Sequence, residues 1–151
     1  MFRKLVKYVL IMGCLIVFLY VNNNWLTVSN HTIQSPQIPT SFDGYRIVQV
    51  SDLHDATFGD KQQRLVNKIQ QTKPDVIVIT GDIIDSNRYN LQNSLDLIDQ
   101  IVKISDVYYV TGNHEVATND VERIKEELIA RGVRVLSNET VTVERAGETM
   151  S

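Results

Sequence analysis

The chain has 151 residues, 22% of them charged and 43% hydrophobic, which is enough for one globular core. Its formal charge of −3 is unevenly spread: without Arg3, Lys4 and Lys7, which precede every other charge, 12 basic residues face 18 acidic ones, a balance of −6. That balance excludes the electrostatic footprint of a nucleic-acid binder, and a single cysteine, Cys14, excludes an intrachain disulfide.

The basic start runs into the uncharged stretch YVLIMGCLIVFLYV, Tyr8 to Val21, with Trp25 just beyond it. These 14 residues fall between a signal-peptide core and a full membrane span. Counting from Leu5, with Lys7 snorkelling, lengthens the stretch to roughly 26 Å at ~1.5 Å per residue. No A-x-A cleavage site follows. Residues 1–21 are therefore expected to form an uncleaved single-pass anchor in a bacterial cytoplasmic membrane, with Trp25 at its interface and the remainder outside the cytoplasm. A cleaved signal, lipoprotein processing at Cys14 and a buried core helix are the alternatives.

Residues 22–44 carry Pro36 and Pro39 and read as a stalk, with a short strand expected around LTVSNHTI; His31 in this stretch is expected to be structural or solvated. From Tyr45 onward apolar runs alternate with helical periodicity. YRIVQV (45–50), DVIVIT (75–80), VYYVT (107–111) and VRVL (133–136) are expected strands. Helices are expected over 60–72, 91–104 and 119–131, the last stopped by Gly132. Strands this apolar, separated by helices, imply an α/β fold of βαβ crossovers around a parallel sheet covered on both faces. TVTVERAGET opens a hairpin at Ala146-Gly147, but only four residues follow Gly147, too few by this reading for a returning strand.

Three successive strands run into polar clusters: Ser51-Asp52-Leu53-His54, Gly81-Asp82-Ile83-Ile84-Asp85 and Gly112-Asn113-His114-Glu115. In an open parallel sheet, ligands bind beyond the carboxyl ends of the strands. Neighbouring strands ~4.8 Å apart would bring the three clusters within about 10 Å of one another. The result would be carboxylates, imidazoles and an amide with no lysine or arginine in the clusters, an arrangement strained by repulsion and desolvation unless a cation is bound. Two ions ~3.5–4 Å apart, sharing a carboxylate, would suit phosphoester displacement. The mixed nitrogen and oxygen donors favour Mn, Fe, Zn or Co over Ca. Asp52 and His54, two apart at a strand end, are expected to share a face. Taken singly each cluster has an ordinary explanation: Asp82 and Asp85 as helix caps, His114 as a loop residue. Three in order, each at a strand end, favour the metal centre.

The series D-x-H, G-D-x-x-D, G-N-H-E resembles the calcineurin-like metallophosphoesterase superfamily. FDGYRIVQVSDLH, PDVIVITGDIIDS and VYYVTGNHE are similar to bacterial membrane-anchored members, over roughly residues 30–148. The resemblance implies a layered βαβ sandwich around two divalent metal ions, hydrolysing a phosphodiester, phosphomonoester or pyrophosphate, including that of a lipid-linked precursor. By position, it implies that Asp52 and His54 hold the first metal, that Asp82 bridges both, and that Asn113 holds the second and contacts phosphate. His114 would protonate the leaving oxygen, oriented by Asp85. The phosphoprotein phosphatase branch has an arginine where Ser86 stands, which argues against a phosphoprotein substrate.

The family's second half supplies a further histidine and a G-H-x-H, and here no histidine follows His114. The resemblance therefore covers the N-terminal half of the fold. Residues 45–151 are expected to be a domain truncated at its C-terminus, with one sheet face exposed. A non-catalytic half-domain, or one assembling with a complementary C-terminal chain, is the alternative to a competent enzyme.

Overall fold

The computed structural model describes residues 2–23 and 25–151; Met1 of the expected anchor and Asn24 of the expected stalk lie outside the described residues. The chain forms two compact units, one up to His31 and one spanning Thr32–Ser151.

The first unit is the helix α1 (Phe2–Asn23) and an irregular tail. Among the described residues no helix is long and apolar enough to cross a membrane, which corrects the expected anchor. The physical reason lies at the ends of α1. Arg3, Lys4 and Lys7 occupy its first two turns, and Asn22 and Asn23 its last. The uncharged stretch between them covers about 21 Å at ~1.5 Å per residue, against a hydrocarbon layer of ~30 Å. The membrane partner, the single-pass localisation, the extracytoplasmic placement and the membrane-anchored subtype all rested on that anchor and are corrected with it. The strand expected around LTVSNHTI does not form either: residues 25–35 are neither helix nor strand.

The second unit is built on a four-stranded parallel sheet, β1 (Ile47–Val50), β2 (Val76–Ile79), β3 (Asp106–Tyr109) and β4 (Arg134–Val135), in that order. Between the strands run α2 (Gln63–Thr72), α3 (Leu91–Ile101), the short α4 (Asn113–Ala117) and α5 (Val121–Ala130). Gly132, at φ +89°, follows α5 as its expected stop. The expected helix over 60–72 begins as a single 3-10 turn, Asp60–Gln62, before α2.

The apolar runs become strands because alternate residues bury against helices. Val50, Ile77, Ile79, Val107 and Tyr109 join Val66 and Ile69 of α2, Leu91, Leu95 and Ile98 of α3, and Ile124 and Leu128 of α5 in one core. Both sheet faces were expected to carry helices, but all three long helices pack into this one cluster. Strand order explains it. When each strand is added beside its predecessor by crossovers of one hand, every helix lands on the same side. On the opposite face Val76 and Tyr108 are buried, with Arg134 over the Tyr108 ring at 5.3 Å, while Ile47 is 53% exposed.

The C-terminal hairpin closes after all. β5 (Val143–Arg145) pairs antiparallel with β6 (Glu148–Met150), so three residues suffice for the return. Ala146 and Gly147 both have positive φ, 51° and 83°, the backbone of the tight turn that matches strand twist. The Glu148 carboxylate also accepts the Ser41 N–H at 3.0 Å, fastening the short strand to the rest of the unit.

Ile98, at the centre of α3, has no exposed surface. We expect Ile98→Ala to lower the unfolding free energy by about 2–5 kcal/mol, seen as a lower urea midpoint at unchanged slope. A shift of less than about 1 kcal/mol would mean that the helix face is less tightly packed than the structure shows.

Candidate metal centre

The carboxyl ends of β1, β2 and β3 lie side by side, and the backbone remains laced beyond the strands. Asp52 N–H donates to Gly81 O, His54 N–H to Asp82 O and Asp55 N–H to Ile83 O, at 3.3, 3.0 and 3.1 Å. Asp52 and His54 do not share a face through extended geometry. Asp52, His54 and Asp55 have φ of 55°, 48° and 56°, so the chain turns through the left-handed region directly after the strand. Such backbone is costly for residues with a Cβ and is found where surrounding structure enforces it. Asp82, at φ 52°, is held the same way.

The turns bring one donor atom each from Asp52, His54 and Asp82 within 4.8 Å of one another. His54 Nε2 lies 3.6 Å from Asp52 Oδ1. Two carboxylates and an imidazole at these separations fit one divalent cation, whose bonds to oxygen and nitrogen near 2.0–2.2 Å would draw them slightly closer. Asp52 is exposed, and His54 and Asp82 are half-buried, so the cluster opens to solvent.

Asn113 and His114 enter from β3. They begin α4, a helix absent from the sequence reading, and Asn113 is exposed at its start. His114 N–H donates to Asp82 Oδ1 at 2.8 Å, and the His114 ring stands edge-on to the His54 ring with centroids 4.4 Å apart. The G-N-H-E segment is thus attached directly to the metal-site carboxylate. That attachment requires two glycines back to back. A Cβ on Gly81 would stand 2.6 Å from Gly112 Cα, and one on Gly112 would overlap Asp82 Oδ1 and N.

Asp85 is buried, but its Oδ1 is 4.0 Å from His114 Nδ1, beyond hydrogen-bond reach. Asp85 accepts from Asn87 N–H at 2.9 Å and from Arg88 Nε at 2.9 Å. The Asn87 amide, then the Arg88 guanidinium, hold its pKa below the ordinary carboxylate value. His114 Nδ1 instead accepts the Ser86 N–H at 3.2 Å, which puts the ring proton on Nε2 in the neutral form. Neither Ser86 as this donor nor Arg88 as the partner of Asp85 was legible from spacing, because both depend on the conformation of the long loop between β2 and α3. Glu115, the last residue of the third polar cluster, is fully buried. Below the site the Tyr109 hydroxyl is pushed well above its ordinary pKa, by burial first and then by the charge of Glu115.

Gly112 has ordinary extended backbone, φ −96° and ψ −178°, so a substitution there tests space rather than conformation. We expect Gly112→Ala to weaken Mn2+ binding by about 10–100-fold, the range typical of lost support around a metal ligand. Gly13→Ala, with nothing within 4 Å of the added carbon and no positive φ, should leave binding unchanged. Titration calorimetry on both variants checks this, and equal affinities would refute the close-contact argument.

Residues 45–144 match the family model described as calcineurin-like phosphoesterase. The chain is similar to a transmembrane protein with metallophosphoesterase domain of Danio rerio, 34% identical over 98% of this chain and 35% of that protein. A protein of the same description from Bos taurus is 34% identical over 77% of this chain and 27% of its own length. The metallophosphoesterase YkuE of Bacillus subtilis is 32% identical over 84% of this chain and 46% of its own length. The chain thus spans less than half the length of each of these relatives. No solved structure matches. The chain belongs to the calcineurin-like phosphoesterase family.

Proposed function

We propose that residues 45–151 form one wall of a phosphoesterase active site, binding a first divalent ion without completing a two-ion centre. By family the chain is a hydrolase of phosphoester bonds. The observation carrying the single-ion reading is the convergence of Asp52, His54 and Asp82 donor atoms within 4.8 Å. A divalent ion bound there supplies Lewis acidity toward a phosphoryl oxygen and lowers the pKa of water.

For a second ion this chain offers Asp82 and Asn113, fewer donors than a closed site requires. Mn, Fe, Zn and Co all suit the first donor set. The His114 imidazole, 4.4 Å from the His54 ring, is the group to donate a proton to a leaving oxygen. In the charged form its Nδ1–H has to leave the Ser86 N–H, and Asp85 at 4.0 Å is the carboxylate toward which it turns. Asn113 is assigned in this reading to meet the phosphate, which its exposure at the start of α4 supports.

The 151-residue chain should therefore bind about one Mn2+, with Asp82→Asn weakening binding by about 10–100-fold. It should also show negligible hydrolysis of an aryl phosphodiester. Electron paramagnetic resonance of free Mn2+ and a colorimetric assay read the two outcomes. Robust turnover that disappears in His114→Ala would overturn the incomplete-site reading, and unchanged Mn2+ affinity in Asp82→Asn would overturn the site itself.

A further inference from the structure

Glu115 is the one acidic side chain in the unit with no exposed surface. Its carboxylate accepts four backbone N–H groups from two loops. Oε2 takes Gly112 N–H at 2.7 Å and Asp82 N–H at 2.9 Å; Oε1 takes Ile83 N–H at 2.8 Å and Ile84 N–H at 3.3 Å. Four N–H donors satisfy the hydrogen-bonding capacity of a buried carboxylate. The bond to Gly112 also caps the first turn of α4.

These bonds do more than fill a core position. The loop after β2 carries Asp82 through a left-handed backbone conformation, and three of its consecutive amides, those of Asp82, Ile83 and Ile84, end on Glu115. The fourth amide is that of Gly112, where an added Cβ would overlap Asp82. From above, His114 N–H holds Asp82 Oδ1. The backbone of Asp82 is thus fixed from below and its side chain from above, both by the same five-residue segment.

We propose that Glu115 is the positioning residue of the metal centre: it ties the β2 and β3 loops together and so sets the Asp82 carboxylate at its place beside Asp52 and His54. The inference rests on the reading of those three residues as the ligands of a divalent ion. Glu115 spends its carboxylate on these four backbone amides and is not one of the three grouped donors. An amide in its place keeps the shape but turns one acceptor into a donor facing two N–H groups. An aspartate keeps both acceptors one methylene further back.

The test uses the whole 151-residue chain, with Mn2+ affinity from paramagnetic resonance and amide hydrogen exchange read on the same samples. Glu115→Gln should weaken Mn2+ binding by about 10–100-fold. It should also speed exchange at Asp82, Ile83, Ile84 and Gly112 while Ile98 and Leu128 remain protected. Glu115→Asp should recover most of the affinity, falling about threefold short of wild type with modestly faster exchange at the same four amides, as expected for lengthened rather than lost hydrogen bonds. Wild-type affinity in a folded Glu115→Gln chain overturns the proposal, as does an equal loss in both variants. If the glutamine variant does not fold, wild-type affinity in Glu115→Asp together with faster exchange at the four amides overturns it. Asp82→Asn is the control. If it binds Mn2+ like wild type, the site reading fails and takes this inference with it; if it loses Mn2+ while Glu115→Gln keeps it, only the inference fails.

Discussion

The arrangement of this site depends on the approach of two backbones, at Gly81 and Gly112, closer than any side chain would allow. Adjacent strands normally stay ~4.8 Å apart and their following loops diverge. Here the loops after β2 and β3 stay in contact past the end of the sheet, so Asp82 and His114 share a hydrogen bond rather than merely a neighbourhood. The contact is local, yet it transmits the rigidity of a fully packed sheet to the rim. Ile79 and Tyr109, the last residues of the two strands, are both about 1% exposed.

A second layer of polar anchoring holds the remaining loops. Gln62 is buried at 1% exposure, accepts the Phe58 N–H and donates to Ala56 O and Asn93 O. Asp55 accepts the Asp85 and Asn90 amides, joining the loop after β1 to the one before α3. The loop after β2 is thus fixed by Asp55 and the segment after β3 by Asp82, each a side chain from the preceding loop, and buried polar groups of this kind specify one geometry because leaving any of them unpaired is costly. The strained residues Asp52, His54 and Asp82 persist because this network determines their backbone from several sides.

The parallel strands could be read from the sequence because DVIVIT and VYYV are apolar on consecutive residues, and the polar clusters at their ends announced the site. Strand order could not be read, and with it went the distribution of helices over the two faces. The left-handed turns at Asp52 and His54 were also invisible, since nothing about aspartate or histidine demands them. Glu115 was hidden for a related reason: a glutamate after G-N-H reads at most as the cap of a turn, and the four amides it binds come from two loops whose meeting no spacing reveals. The apolar length of α1 misled in the other direction. Composition suggested a membrane span, while the charges and amides at its ends leave too short an apolar stretch.

The monotonic strand order has a consequence for how the molecule assembles. Each strand pairs with the one made just before it, about thirty residues earlier, so every βα step docks onto a finished edge and no strand waits for a distant partner. On a ribosome the sheet could grow in the order of synthesis. The metal cluster would then gain its donors in two instalments, Asp52 and His54 with the first strand and Asp82 with the second. Its geometry would remain loose until β3 delivered Gly112 and the segment behind it. The segment that sets the shape of these three donors is thus translated after all of them.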